Sequence, residues 1–218
     1  MSRLADHFPS AGRVLFRRRS YLPLALLPCF AASFAGIHYP LGSHALDLSW
    51  EIGCFVVALA GLAVRMYTVG TSAPGTSGRN TREQKANSLN TSGPYSVVRH
   101  PLYVGNYVIA LGLASFTRTW FLPVIVTLAA LLYYERIAAR EEQYVEEKFG
   151  DGFRRWADAV PALVPALMRF RPAARRFSWR RAIRREFYVV GEISVAFFVM
   201  DVVEDLLITG HLELDPVW

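Results

Sequence analysis

The chain is poor in the features on which soluble enzymes usually rely. Its only two cysteines, Cys29 and Cys54, lie inside apolar runs and have no metal-ligand spacing. They read as small buried hydrophobes, not as a disulfide or a nucleophile. Charged residues make up only 19% of the 218, against 53% hydrophobic, with a mean hydropathy of +0.23. A soluble domain of this size seldom carries so few charges for so much apolar content. There is no phosphate-cradling P-loop, no zinc spacing and no serine-nucleophile elbow. The net charge of +6 could suggest nucleic acid, but no basic face with interleaved base-stacking aromatics is present.

What is present is clustered charge between long apolar runs, at 21–40, 48–69, 102–137 and 187–208. A bilayer core takes about 20 apolar residues per helix. The first run follows Arg17-Arg18-Arg19, with Pro23 and Pro28 placed to start or kink it. A twin-arginine export signal fits less well, because the run is long for a signal and further spans follow. Thr117-Arg118-Thr119 interrupts the third run, which reads as a hairpin: roughly 102–117 enters, 120–137 returns, and Arg118 is the tip.

Orientation follows from the basic residues. Of 24 Lys and Arg, only Arg118 falls in a segment assigned to the outer side, while Arg65 lies in a span near its inner end. The positive-inside rule then puts the N-terminus, the 70–100 loop and the 136–185 region in the cytoplasm and the C-terminal tail outside. The expectation is an all-α polytopic integral membrane protein with about five membrane-embedded helices, in the inner (cytoplasmic) membrane. It is one domain over 1–218, in three parts: N-terminal helices and polar loop (1–92), a motif-bearing region (93–165), and a basic segment with the last helix (166–218).

The motif-bearing region opens on Gly93-Pro94-Tyr95-Ser96-Val97-Val98-Arg99-His100-Pro101-Leu102-Tyr103-Val104-Gly105. Gly93-Pro94 is a turn dipeptide, and Pro101 suits the first turn of a helix. His100, before a proline, is pushed out of the α region. Arg99 and His100 thus stand at a helix mouth, where unpaired N–H groups and the positive dipole end point. That suits an anionic or polar ligand at a membrane surface. Further on, Glu135, Ala138, Glu142, Val145 and Phe149 recur on one helical face, Gly150 is a candidate C-cap, and an amphipathic piece over 153–160 ends at Pro161. Glu141-Glu142 could be a plain solvated face; beside Arg99 and His100 the pair reads as a cation-binding group.

Taken in order, Arg99-His100-Pro101-Leu102-Tyr103-Val104-Gly105, Glu141-Glu142, Phe149-Gly150, Val160-Pro161 and Pro165 resemble the isoprenylcysteine carboxyl methyltransferase family, which is related to the phospholipid N-methyltransferases. The resemblance covers roughly 90–165. It implies S-adenosylmethionine as cofactor and methyl transfer to a lipid or isoprenyl-type acceptor at the cytoplasmic face. By resemblance the cofactor-binding set is Tyr95, Val97, His100, Pro101, Tyr103, Glu141 and Glu142, with Arg99 and Glu142 as catalytic residues. Glu142 is favoured over Glu141 for ligand contact because it alone shares a face with Glu135 and Phe149. Family members carry basic residues just before the acidic pair, where this chain has Tyr134-Glu135-Arg136-Ile137. Acceptor-side candidates are Arg79, Asn106 and Arg136. Arg79 sits in a Gly-, Ser- and Thr-rich loop that could be a linker or a headgroup-binding loop. No metal and no nucleic acid are expected, and the oligomeric state stays open.

Other readings are an NADPH-dependent reductase of a steroid-like or enoyl lipid, and a non-enzymatic membrane carrier or scaffold. Eight arginines with Phe170, Phe177 and Trp179 over 168–185 read as an interfacial stretch on anionic headgroups. The acids of the last helix, Glu192, Asp201, Glu204 and Asp205, read as structural, and Arg118 is expected to pair among them, with Asp201 and Asp205 sharing a face.

Overall fold

The computed structural model describes residues 22–73 and 88–211. The Arg17–Arg19 cluster, the Arg79 loop and the tail 212–218 lie outside the described residues. Among the described residues there are six α-helices: α1 (Leu27–Ser33), α2 (His44–Thr71), α3 (Pro101–Ser115), α4 (Phe121–Phe149), α5 (Asp151–Ala159) and α6 (Trp179–Ile208). No strand occurs among them, only an isolated antiparallel bridge between Gly93 and Arg171.

Two helices, α2 and α4, are long and apolar enough to cross a membrane. The third apolar run is a hairpin, as its interruption predicts: α3 ends at Ser115, the chain turns through Arg118, and α4 returns. α4 continues without a break from the apolar run into the charged stretch and ends at its C-cap, Gly150. α6 is 30 residues long, with Glu192, Asp201, Glu204 and Asp205 set into its apolar part. The first apolar run differs from expectation. It is not one long helix: a 3-10 turn at Leu22–Leu26 leads into α1, which is only seven residues. The prolines explain the start, since Pro28 has no N–H to give the preceding turn. The chain then leaves the helix and reverses through Gly36 and Leu41, both at positive φ.

The core is the face of α2 that packs on α3 and α6. Cys54, Ala58 and Leu62 meet Phe116 and the α6 residues Val189, Ile193, Phe197 and Met200. Small residues bring the backbones together, the usual device where lipid gives no hydrophobic drive to association. A Cβ on Gly112 would lie 2.7 Å from the Cys54 carbonyl oxygen, and one on Gly61 would lie 2.6 Å from that of Gly105.

One end of the bundle is closed by charge. Arg118, at φ 59, bonds Asp47 of α2 and Glu204 of α6, and donates to the His38 carbonyl at 3.4 Å. The Tyr39 hydroxyl donates to Asp205 at 3.2 Å. Arg118 therefore pairs with the last helix as expected, but through Glu204, and with an acid of α2 as well. The carboxylates of Asp47, Glu51 and Glu204 lie within 4.8 Å of one another. The Arg118 guanidinium supplies a cation to that group.

Candidate functional site

The motif is held by the chain that follows α5. Gly93, at φ 61, starts a tight 3-10 turn at Pro94–Ser96, a backbone state that residues with a Cβ rarely adopt. From there the chain runs alongside residues 161–171. Arg99 N–H donates to the Pro161 carbonyl at 2.8 Å and His100 N–H to that of Ala162 at 3.3 Å. Ala166 N–H donates to the Val97 carbonyl at 2.9 Å, and Gly93 N–H to that of Arg171 at 2.9 Å. Pro161 thus ends α5 and also anchors Arg99. The Trp156 indole of α5 donates to the Tyr95 carbonyl at 3.0 Å. His100 is the N-cap of α3, at φ −121 and ψ 65, the non-helical backbone that Pro101 imposes.

This scaffold sets Arg99 and His100 against the C-terminal third of α4. His100 Nε2 lies 2.8 Å from Glu142 Oε1, and its Nδ1 lies 3.5 Å from Glu141 Oε2. Arg99 Nη1 is 3.2 Å from Glu142 Oε2, and the Tyr103 hydroxyl donates to Glu141 Oε1 at 2.7 Å. The imidazole sits between two adjacent carboxylates, so both are engaged. Glu141 is as closely held as Glu142, because the two ring nitrogens reach neighbouring residues and not one helical face. Burial disfavours the charged imidazole, but the hydrogen bonds and charges of Glu141 and Glu142 outweigh it and raise the His100 pKa above its ordinary 6.5. Burial pushes the Tyr95 phenol up to about 12, against the pull of its bond with Ser72.

Aromatic rings extend the cluster. His100 stacks on Tyr103 at 5.4 Å between centroids, and Tyr103 on Tyr134 of α4 at 4.7 Å and 11°. Beyond them the amide oxygen of Asn106 takes a bond from Arg65 of α2. Arg65 Nε donates to Glu186 of α6 at 2.7 Å and Nη2 to the Tyr188 hydroxyl at 3.3 Å.

Of the residues singled out in the sequence, Arg99, His100, Tyr103, Glu141 and Glu142 come together in direct contact. Pro101 is buried beneath them at the first turn of α3, and Asn106 lies one turn further along. Val97 is buried and uses its carbonyl to hold Ala166. Arg136 bonds the Leu132 carbonyl of its own helix at 2.6 Å. Arg79 is outside the described residues. Sequence reading did not find Tyr134 or the Arg65–Glu186 pair. Tyr134 stands seven residues before Glu141, two helical turns, and that spacing was the available signal. Nothing in the sequence linked Arg65 to Glu186 across 121 positions.

The Arg-His-Pro entry to an apolar hairpin thus clamps an acidic pair on α4. Residues 51–152 match the phospholipid methyltransferase family. The chain is 35% identical over 132 residues to the cobalt-zinc-cadmium resistance protein CzcN of Cupriavidus metallidurans, covering 60% of this chain and 58% of that protein. It is 36% identical over 132 residues to the nickel-cobalt-cadmium resistance protein NccN of Alcaligenes xylosoxydans xylosoxydans, covering 60% and 59%. It is 29% identical over 87 residues to the protein-S-isoprenylcysteine O-methyltransferase of Schizosaccharomyces pombe, covering 40% and 37%. The chain thus spans less than two thirds of the length of these relatives. No solved structure matches it. Residues 51–152 are thus similar to the phospholipid methyltransferase family, and 87 residues to an isoprenylcysteine O-methyltransferase, in line with the resemblance of the ordered motifs.

Proposed function

We propose that the protein transfers a methyl group from S-adenosylmethionine to a lipid-like acceptor at the cytoplasmic face of the membrane. The observation that carries this is the convergence of Arg99 and His100 on Glu142, at 3.2 and 2.8 Å, with Tyr103 on Glu141 at 2.7 Å. These residues fit the cofactor's polar groups. The Nε of Arg99 is buried and meets no acceptor among the described residues, which leaves a charged donor for a carboxylate. Glu141 and Glu142 offer acceptors for an α-ammonium and for ribose hydroxyls, and their charge favours a cation. His100 and Tyr103 fix the two carboxylates from the other side, so little reorganisation is needed on binding. When bound, S-adenosylmethionine supplies an already activated methyl group. The protein's part is alignment and the exclusion of water.

About five membrane-embedded helices, with this cluster at the cytoplasmic end and Arg118 at the outer end, is the arrangement the distribution of Lys and Arg supports. In a cysteine-free background, an impermeant thiol reagent applied to intact cells should label a cysteine at the exposed outer position Leu41 and not one at Met168. The activity is tested by titrating S-adenosylhomocysteine and NADPH into detergent-purified protein. Saturable binding of the first alone is expected. Binding of NADPH alone would replace the reading with a reductase, and binding of neither with a carrier.

A further inference from the structure

We infer that the segment joining α5 to α6 docks on an anionic lipid leaflet, and that docking there tightens cofactor binding at the Arg99–His100 cluster. The coupling rests on the methyltransferase reading; the docking does not. Between α5 and α6 the only helical structure is one turn, Leu167–Arg169. Apolar side chains on and around this turn face outward: Met168 is fully exposed (100%), Val164 and Leu167 are each 74% exposed and Phe170 is 51% exposed. They bury little within the protein, so their surface is free to enter lipid. Arg175, Arg176, Arg180 and Arg184 follow, all exposed and without a hydrogen bond or ion pair among the described residues. Apolar side chains beside solvated arginines suit a boundary where hydrocarbon meets anionic headgroups. An acidic protein surface would answer the arginines but not the apolar turn.

The segment is tied to the ends of two apolar helices, which sets its level. Helix α2 is long and apolar enough to cross a membrane, so its end marks a boundary. At that end Ser178 N–H donates to the Gly70 carbonyl at 3.1 Å, and Arg181 Nη1 donates to the Ser72 carbonyl at 2.6 Å. Gly70 leaves room for the Phe177 ring, since a Cβ there would lie 2.3 Å from it. At the start of α3 the Pro161 and Ala162 carbonyls accept from Arg99 and His100 N–H.

The same segment is the backbone partner of the motif on both sides of the exposed turn. Before the turn, Ala166 N–H donates to the Val97 carbonyl at 2.9 Å. After it, Arg171 N–H donates to Ser96 Oγ at 2.8 Å, and Ala174 N–H to Ser92 Oγ at 3.0 Å. In water the turn has little side-chain packing to hold it. A leaflet gives its apolar side chains a surrounding and its arginines a counter-charge. Fixing the turn fixes the strand of chain bonded to it, and with it the backbone of Arg99 and His100. Two ligands that favour one arrangement of a shared element strengthen each other's binding.

The test uses the full-length protein in nanodiscs of phosphatidylcholine, alone or mixed with phosphatidylglycerol. Docking is read from a fluorophore on Met168→Cys in a cysteine-free background. Lipids carrying a nitroxide on the upper acyl chain should quench it in the mixed nanodiscs, and should not quench one on Asp151→Cys, exposed on α5. Coupling is read by titrating S-adenosylhomocysteine, which should bind about fivefold or more tightly with phosphatidylglycerol present, within the usual range of a coupling between sites. High salt should remove that gain. Leu167→Asp with Met168→Asp, and separately Arg175→Gln with Arg176→Gln, should lose the gain yet match the wild type in phosphatidylcholine, since these side chains are exposed. Quenching at Met168 no stronger than at Asp151 would overturn the docking, as it would if the arginines served an acidic protein instead. Equal affinity in the two lipids, or a gain that survives in both variants, would overturn the coupling. Failure to bind S-adenosylhomocysteine in either lipid would remove the methyltransferase reading and the coupling with it, while the quenching still decides the docking.

Discussion

Replacing Glu142 with Gln isolates the charge at the centre of the proposed cofactor site. The carboxamide has nearly the same shape, but its single oxygen can accept from Arg99 or from His100, not from both. In the wild type Glu142 serves both, at 3.2 and 2.8 Å, with its side chain about one-fifth exposed (22%). Each is a charge-assisted contact in partial shelter from water. Losing one such bond, and the negative charge facing a cationic ligand, costs about 1.5–3 kcal/mol. At about 1.4 kcal/mol per tenfold, S-adenosylhomocysteine should bind roughly tenfold to a hundredfold more weakly. Isothermal titration on the purified protein reads this directly, and Glu146→Gln, about one helical turn away, exposed and bonded to Arg154 at 2.7 Å, serves as control for a lost surface charge. An affinity in Glu142→Gln equal to that of the wild type would remove Glu142 from the site and with it the reason to place the cofactor there.

Three further outcomes follow from the packing and the charges. Because the folded pKa of His100 is raised, the folded state holds its proton more tightly than the unfolded chain; this stability is fully present below about pH 6.5 and is lost as pH rises through the folded value, so the melting temperature should fall across that window, and Glu141→Gln with Glu142→Gln should flatten the fall. Gly112→Ala places a methyl 2.7 Å from the Cys54 carbonyl oxygen and should destabilise by about 1–3 kcal/mol, whereas Gly191→Ala in α6 meets nothing within 4 Å and should stabilise by about 0.5–1 kcal/mol; thermal denaturation in one detergent compares the two. Arg118→Ala strands Asp47 and Glu204, both almost wholly buried, and should cost about 3–5 kcal/mol without altering S-adenosylhomocysteine affinity, while adding Glu204→Gln should cost less than the sum of the single losses; additivity would sink the pairing.

The clustering of the candidate site residues was legible where neighbours in sequence are neighbours in space. Pro101 after His100 dictates a non-helical His100, and the helix that Pro101 starts carries Tyr103 on the turn above it. Glu141 and Glu142 are adjacent, so finding one finds the other. The hairpin followed from a single charged interruption, because three polar residues within an apolar run must reach an interface. The preference for Glu142 over Glu141 rests on helical periodicity, which tells which residues share a face; that the imidazole engages both acids was not legible, because its two nitrogens span adjacent positions. Likewise, the span read over 21–40 came from apolar content, which measures solvent preference and says little about continuity. Pro28 and Gly36 break that helix without changing its hydropathy.

The charged residues within the apolar runs show the same division. Arg65 and Arg118 both stood out, one as a charge inside a span and the other as a basic residue on the wrong side. Their exceptional placement meant that each needed a partner, since an unpaired ion in hydrocarbon is costly. Spacing along α6 pointed to Asp201 and Asp205 for Arg118, because an i, i+4 pair offers two acids on one face. The structure takes Glu204 instead and adds Asp47 from α2. The reason lies in the backbone at the tip. With Arg118 at φ 59, in the left-handed region, its side chain leaves the hairpin between α2 and α6, where one acid from each can reach it. A non-glycine residue keeps that conformation only when its surroundings over-determine it, and two buried carboxylates do so. Periodicity on one helix can propose a face, but a guanidinium lodged between two helices is selected by both, and only the crossing of α2 with α6 reveals which acids those are.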